Sequence, residues 1–273
     1  MIPRNQTDIR LPWHKVQDRL LLRPGETSLW FGTSGCGKSM VARHVLLGAL
    51  SDGHRCCATA LEYRPQDWMC RLVRQASTAE RQTGACVRNT IQAMGDRLWL
   101  YSGPGAAKID LILDVFTDAA KHHGARLFLI DSYTKLSIVG DDYLAHQQLM
   151  GRISRFARDL NVHVMVVAHT RTPWQDERSP PKMGDVRGAS ALTDLADTVV
   201  AIWRNKPREH AIEGGFATPD LLAEPGCLLV THKQRNGESE PIIRLWFDRA
   251  SQQYVGNPGE RPVPMLQTAE GVV

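Results

Sequence analysis

Eight residues, Gly32, Thr33, Ser34, Gly35, Cys36, Gly37, Lys38 and Ser39, read GTSGCGKS between the apolar run SLWF and the helical pattern MVARHVLLGAL. The spacing G-x-x-x-x-G-K-[ST], entered from a strand and left through a helix, is that of a loop that holds nucleotide phosphates. Its glycines let backbone N–H groups curl around the phosphates of ATP or another NTP, Lys38 reaches the terminal ones, and the Ser39 hydroxyl supplies one position on Mg2+. Cys36 fills a variable position of that loop. A magnesium site needs a carboxylate opposite Ser39, and RLFLIDS offers Asp131 at the end of a very apolar strand. An acid that closes such a strand lies at the sheet's carboxyl edge beside the loop, whereas one inside the strand would be a costly buried charge. Hydrolysis also needs a group that orients the attacking water, and TALEYRP sets Glu62 at the end of another strand. His169 and Arg171 follow VHVMVVA, where a polar side chain can contact the γ-phosphate; a solvated or otherwise satisfied histidine is the competing reading.

These groups must be carried by a sheet. Short apolar runs bounded by turn residues predict strands at 28–31, 55–61, 98–102, 126–131 and 162–168, with further ones at 198–204, 226–232 and 242–247. Helical patterns lie between the early runs, at 38–50, 65–76, 108–123 and 145–160. Such alternation predicts an α/β fold, a mainly parallel sheet flanked by helices on both faces, with ligands at the carboxyl ends of the strands. The last three runs show no intervening helical pattern and are expected to extend the sheet in antiparallel fashion. A short arm (1–19) precedes one domain (20–255), and a tail rich in proline and glycine (256–273) is expected to be extended or disordered.

Composition excludes little but bounds much. A chain of 273 residues, 42% hydrophobic, suits one large core. Net charge is +4, from 33 basic and 29 acidic residues, which permits a nucleic-acid partner without requiring one. The six cysteines form no metal-binding spacing, and Cys56-Cys57 read as part of a buried strand, so reduced thiols in a cytoplasmic compartment are expected. No stretch is apolar enough for a signal peptide or a bilayer span, so a soluble protein without membrane partners is expected.

The succession GTSGCGKS, ALEYRPQDWMCRLV, LFLIDSYTKL, FARDLNVHVMVVAHTR, GDVRGASALTDLADTVVAIWRN and HKQRNGE resembles the RecA-like motor domain of DnaB-family hexameric helicases. It is most similar to the bacteriophage helicase-primase and Twinkle branch, over roughly residues 20–254. The resemblance implies that Glu62 is the catalytic carboxylate, Asp131 the magnesium-binding acid and His169 the γ-phosphate sensor. It implies that Arg204 stacks on the nucleotide base, with Phe247 near the opposing aromatic position. Lys233 and Arg235, in HKQRNG, would project into the nucleotide site of a neighbouring subunit, where positive charge stabilises the transferring phosphoryl group. GDVRGAS resembles the loop that faces the channel, so Arg187, Gly188 and Ser190 would track the backbone of single-stranded DNA. Arg171, Arg178 and Lys182 flank it, and Trp174 would either stack on a base or cover the loop.

A ring, expected to contain six subunits, follows from that resemblance, as does movement along one DNA strand during replication. Relatives carry an amino-terminal domain and a linker helix that docks on the neighbour, whereas about twenty residues precede the motor here. Met1–Arg19, through WHKVQDRLLL, or a replication partner such as a primase, polymerase or loader, is the expected substitute. No primase-like segment is seen, and a self-contained motor of this size suits a phage or mobile element acting in a bacterial cytoplasm. Two alternatives stay open: a nonmotor DNA-dependent ATPase that loads or regulates another protein, and a RecA/RadA-type recombinase.

Overall fold

The computed structural model describes residues 8–78, 81–103, 108–136, 143–171, 179–186 and 188–266. The chain opens with a two-residue hairpin, β1 (Ile9–Arg10) and β2 (Leu21–Leu22), before the central strand β3 (Thr27–Gly32). Helix α1 (Lys38–Ser51) follows, then β4 (Cys56–Thr59), α2 (Pro65–Ser77), α3 (Gly84–Met94) and β5 (Leu98–Tyr101). The middle of the chain supplies α4 (Ile109–His123), β6 (Leu127–Asp131), α5 (Tyr143–Leu160) and β7 (His163–His169). Last come α6 (Ala189–Leu195), β8 (Thr198–Arg204), α7 (Lys206–Glu213), α8 (Pro219–Ala223), β9 (Cys227–Gln234), β10 (Ile242–Phe247) and β11 (Tyr254–Val255).

Among the described residues, nine of these strands form one sheet in the order β11-β10-β9-β8-β3-β7-β6-β4-β5. β3 is parallel to both β7 and β8, and the parallel pairing continues outward through β6, β4 and β5. All six residues of β3 are buried, as expected of a strand covered on both faces, and its neighbours read as near-continuous apolar runs for the same reason. β9, β10 and β11 run antiparallel on the other side. One expectation is corrected here: 198–204 does not begin the antiparallel extension. α6 precedes β8 and supplies a crossover that returns it parallel to β3, while α7 and α8 intervene before β9. The short α6, seven residues, carries too few turns to give a clear helical period in the sequence.

Two apolar layers sandwich the sheet. On one face α1, α2 and α3 bury Val45, Leu46, Trp68, Leu72 and Met94 in one cluster with Trp30 and Leu129 of the sheet. On the other, α4 and α5 bring Phe116 and Phe156 onto Phe128, with ring centroids 4.8 and 5.3 Å from Phe128. The amino-terminal segment belongs to the first layer: Ile9, Leu11, Trp13, Val16, Leu20 and Leu22 are all buried there. Trp13 donates its indole N–H to the carbonyl of Tyr254 at 2.7 Å and meets the His44 ring edge-on. The apolar residues of WHKVQDRLLL thus serve this chain's own core and are withdrawn from the docking role expected of them. At the other end, the backbone N–H of Met265 donates to the carbonyl of Ala76, and Met265 and Leu266 pack against the same layer.

Candidate nucleotide site

Register brings the chemistry to one edge. Gly32 pairs with His169 and Asp131 with Val167, so β3, β6 and β7 all end beside the loop 32–39. Two glycines of the loop are fixed by packing. A Cβ on Gly32 would lie 2.4 Å from the carbonyl oxygen of Ile202 and 2.6 Å from Cys36 Sγ. Gly37 has φ +92°, a left-handed conformation that L side chains rarely adopt, and a Cβ there would lie 2.5 Å from the Tyr254 hydroxyl. The loop therefore closes over β8 and β11 before α1 begins at Lys38. Cys36 is buried, and burial pushes its thiol pKa up, so it behaves as a small apolar filler.

Lys38 is buried and donates to the carbonyls of Gly32 (3.1 Å) and Thr33 (2.7 Å), which spans the mouth of the loop. Burial lowers its pKa, against the attraction of Glu62 and Asp131. The Ser39 hydroxyl donates to Asp131 Oδ1 at 3.1 Å. Asp131 is buried; desolvation raises its pKa, opposed by the Ser39 hydrogen bond and by the Arg43 guanidinium. Arg43 lies one turn beyond Ser39 on the same face of α1, also buried, with no described hydrogen-bond partner for Nε or Nη1. Its role as a counter-charge beneath Asp131 was not foreseen, although the four-residue spacing after Ser39 was there to be read.

Glu62 follows β4 and is held from two sides. Ser132 Oγ donates to its Oε1 at 2.5 Å, and His169 Nε2 meets the same oxygen at 3.2 Å. The His169 hydrogen bond, and then that of Ser132, outweigh desolvation and hold the Glu62 carboxyl down to about 2. Both contacts use Oε1, so the carboxylate is fixed in place from one side. Ser132 is not marked by any motif in the sequence, and it joins the site only through this hydrogen bond to Glu62.

At the rim, Arg204 forks onto Glu209 (Nε to Oε1 2.7 Å, Nη2 to Oε2 2.6 Å) and donates from Nη1 to the carbonyl of Gly35 at 3.1 Å. The end of β8 thus carries a guanidinium against the phosphate loop. Phe247, at the end of β10, packs on Tyr254 with centroids 5.1 Å apart. Tyr254 itself is buried, with its hydroxyl against Gly37 of the loop.

The remaining predicted residues divide into two groups. Arg171 donates its backbone N–H to the carbonyl of Asp185, Thr170 bridges to Val186, and the Lys182 N–H donates to the Asp185 carboxylate. These contacts bring Arg171 and Lys182 together beside Gly188, which with φ +74° caps α6, and beside the exposed Ser190. Arg178, Arg187 and Trp174 lie outside the described residues. Lys233 and Arg235 lie elsewhere: Ser28 pairs with Thr198, which pairs with Gln234, so both cations sit at the amino end of β3. Four residues of strand separate Ser28 from Gly32, roughly 13 Å, and the two side chains are at the sheet edge opposite their own phosphate loop.

Among the described residues no group of three or more His, Cys, Asp or Glu gathers for a metal, no helix is long and apolar enough to cross a membrane, and all six cysteines are free thiols. No protein-family profile matches the chain. Over 212 residues it is 24% identical to the DNA helicase/primase of Enterobacteria phage T3; the match covers 70% of this chain and spans 38% of the relative's length. A solved ATPase domain superposes with a TM-score of 0.71 at 17% identity, covering 86% of this chain and 85% of its own. A DnaB-like replicative helicase, solved in a study of its interactions with primase, superposes with a TM-score of 0.74 at 16% identity, over 90% of this chain and 63% of its own. The fold is that of RecA-like ATPase domains, with the G-x-x-x-x-G-K-S loop between β3 and α1. The likeness to the two solved structures is one of fold, and the chain spans little more than a third of the length of the phage relative it matches.

Proposed function

We propose that the chain is an ATP-dependent DNA helicase motor that assembles as a ring, expected to be hexameric, moves along single-stranded DNA and unwinds duplex during replication. The observation that carries this reading is the separation of the two halves of the catalytic machinery. Lys38, Ser39, Glu62, Asp131 and His169 converge at one edge of the sheet, while Lys233 and Arg235 stand at the other. A subunit so built has half a site at each edge, and head-to-tail assembly completes them.

In that reading the loop residues Gly32, Thr33, Ser34, Gly35, Cys36, Gly37 and Lys38 cradle ATP or another NTP. Ser39 and Asp131 would hold Mg2+, a donor set of one hydroxyl and one carboxylate that fits an ion which keeps several waters and phosphate oxygens of its own. Bound there, Mg2+ would neutralise charge on the terminal phosphates. Glu62, fixed through Oε1 by Ser132 and His169, would orient the attacking water through its other oxygen. His169, which meets Glu62 at 3.2 Å, would also reach the γ-phosphate, so that loss of that phosphate would change what it can bind. Lys233 and Arg235 of the adjacent copy supply positive charge to the transferring phosphoryl group. Arg204 faces the base, with Phe247 and Tyr254 as the aromatic side of that rim.

Arg187 with Gly188 and Ser190, flanked by Arg171, Arg178 and Lys182, would hold the DNA backbone without reading bases. A bacterial cytoplasm, for a phage or mobile-element product, is the expected setting, with a primase, polymerase or loader as partner. The test is strand separation of a forked duplex with ATP and Mg2+, with Lys38→Ala as control. Unwinding is expected from the native protein, and turnover in Lys38→Ala is expected to fall by about a hundredfold or more. DNA-stimulated hydrolysis without unwinding, under conditions where rings form, would overturn the motor reading.

A further inference from the structure

Every side chain of His232, Lys233, Gln234, Arg235 and Asn236 has a partner. His232 Nε2 donates to the carbonyl of Pro181 at 3.0 Å, and Gln234 donates to the carbonyls of Arg19 (3.2 Å) and Ser239 (2.6 Å). Asn236 donates to the buried Glu26 carboxylate at 2.6 Å. Lys233 Nζ donates to the carbonyls of Thr193 (2.9 Å) and Asp194 (3.0 Å), in the last turn of α6. Those carbonyls lack partners within the helix, which makes them a ready seat for a cation. Arg235 reaches the same turn through Nη2 to the Asp194 carbonyl (3.3 Å) and places Nη1 on Asp197 Oδ1 (2.8 Å).

Asp197 is the joint. It is 7% exposed, and both carboxylate oxygens are used: Oδ1 for Arg235, Oδ2 for the backbone N–H (2.9 Å) and hydroxyl (3.3 Å) of Thr27. Its backbone also takes part, since the Asp197 N–H donates to the Thr27 carbonyl and the Arg235 N–H donates to the Asp197 carbonyl, each at 2.9 Å. Thr27 is the first residue of β3, the strand that ends in the phosphate loop. The helix α6 runs from Gly188 and Ser190 at one end to the seat of both cations at the other, about 10 Å along a single rigid segment.

We infer that Asp197 is a positioning residue that, with the last turn of α6, aims Lys233 and Arg235 at the neighbouring subunit and ties their position to the DNA-facing start of α6. This rests on the proposal that Arg235 acts in trans. A displacement of α6 by DNA moves the carbonyls that hold both cations, so DNA on one subunit alters the site of the next. A fixed guanidinium also loses less freedom when it meets the phosphoryl group, which is why a buried carboxylate behind it matters.

The test compares Asp197→Asn, Thr27→Val and Arg235→Ala for ATP turnover with and without single-stranded DNA. Each is measured alone and after mixing with excess Lys38→Ala subunits under verified exchange. Asp197→Asn is expected to lower DNA-stimulated turnover about tenfold, and Thr27→Val about twofold, each at unchanged nucleotide affinity. Both losses should be relieved by Lys38→Ala subunits, which lack a working loop but lend an intact Asp197 and Arg235. A purely structural defect, passed through Thr27 to the variant's own loop, would not be relieved, and that result overturns the inference. Full turnover in Asp197→Asn beside an inactive, rescuable Arg235→Ala overturns it alone, whereas full turnover in Arg235→Ala overturns the trans reading with it. If Asp197→Asn fails to fold, Thr27→Val, close in shape to the native residue, decides by the same rescue criterion.

Discussion

The two edges of the central sheet are built differently although both carry charged residues. At the carboxyl edge, groups from four places in the chain converge: Lys38 and Ser39 from the start of α1, Glu62 after β4, Asp131 and Ser132 at the end of β6, and His169 at the end of β7. At the amino edge, both cations come from one strand and are seated on backbone carbonyls and a single buried carboxylate. The first arrangement draws groups from several elements around one place, as a site proposed to hold a ligand would. In the second, the described contacts seat both cations on backbone and one carboxylate, which suits the proposed service to another molecule's site.

That contrast breaks first at Arg235. Arg235→Ala is expected to lower turnover about a thousandfold, the scale on which a trans-acting arginine contributes to phosphoryl transfer, with ATP binding retained. Mixing it with excess Glu62→Gln subunits should restore part of the activity, because an interface that joins the loop of an Arg235→Ala subunit to the cations of a Glu62→Gln subunit has both halves intact. Steady-state hydrolysis against mixing ratio reads this out. No recovery under verified exchange would return Lys233 and Arg235 to a local structural role on α6 and Asp197.

How much of this was open to the sequence differs in the same way. Lys38 and Ser39 sit in a motif whose spacing is itself chemical, and Asp131 was placed by the cost of burying an acid inside an apolar strand. Strand alternation also predicted the parallel sheet and the side on which the acids gather. The parallel return of β8 was not legible, because α6 is only seven residues long. Nor was the fate of the amino-terminal segment, since Trp13, Val16 and Leu20 form an apolar pattern whose partner, own core or neighbour, is a tertiary matter. Ser132, Glu209 and Asp197 are not legible because each meets its partner side chain only in the folded chain and no motif marks them, while Arg43 is marked only by its four-residue spacing from Ser39. For Lys233 and Arg235 the motif could be quoted, but their distance from their own loop needed the register of β3, β8 and β9.

Within the carboxyl edge, Arg204 sharpens the comparison because it stands at the rim and not at the reacting atoms. Its contacts are Glu209 and the Gly35 carbonyl. Arg204→Ala should therefore raise KM for the nucleotide by three- to tenfold, roughly the size of a cation–π contact, and leave kcat nearly unchanged. Kinetics across ATP concentrations separate the two. A fall in kcat with KM unchanged would mean that the guanidinium acts by shaping the loop at Gly35 and does not touch the base.

The smallest expected effect concerns pH and the pair Glu62–His169. The folded carboxyl is held down to about 2, mainly by the His169 hydrogen bond and then by Ser132, whereas an unfolded glutamate titrates near about 4.3. A depressed folded pKa stabilises the protein above the unfolded value, and that contribution is lost as pH falls towards the folded one. The stability difference between the native protein and Glu62→Gln should thus be constant above about pH 5 and shrink steadily below it. His169→Ala removes the largest cause of the depression, so Glu62 moves back towards the ordinary carboxylate range and the shrinkage becomes shallower. Denaturant unfolding of the native protein, Glu62→Gln, His169→Ala and the double variant between about pH 3 and pH 6 measures this. Shrinkage equally steep with and without His169 would mean that His169 does not hold Glu62, and the water-orienting geometry would then rest on Ser132 alone.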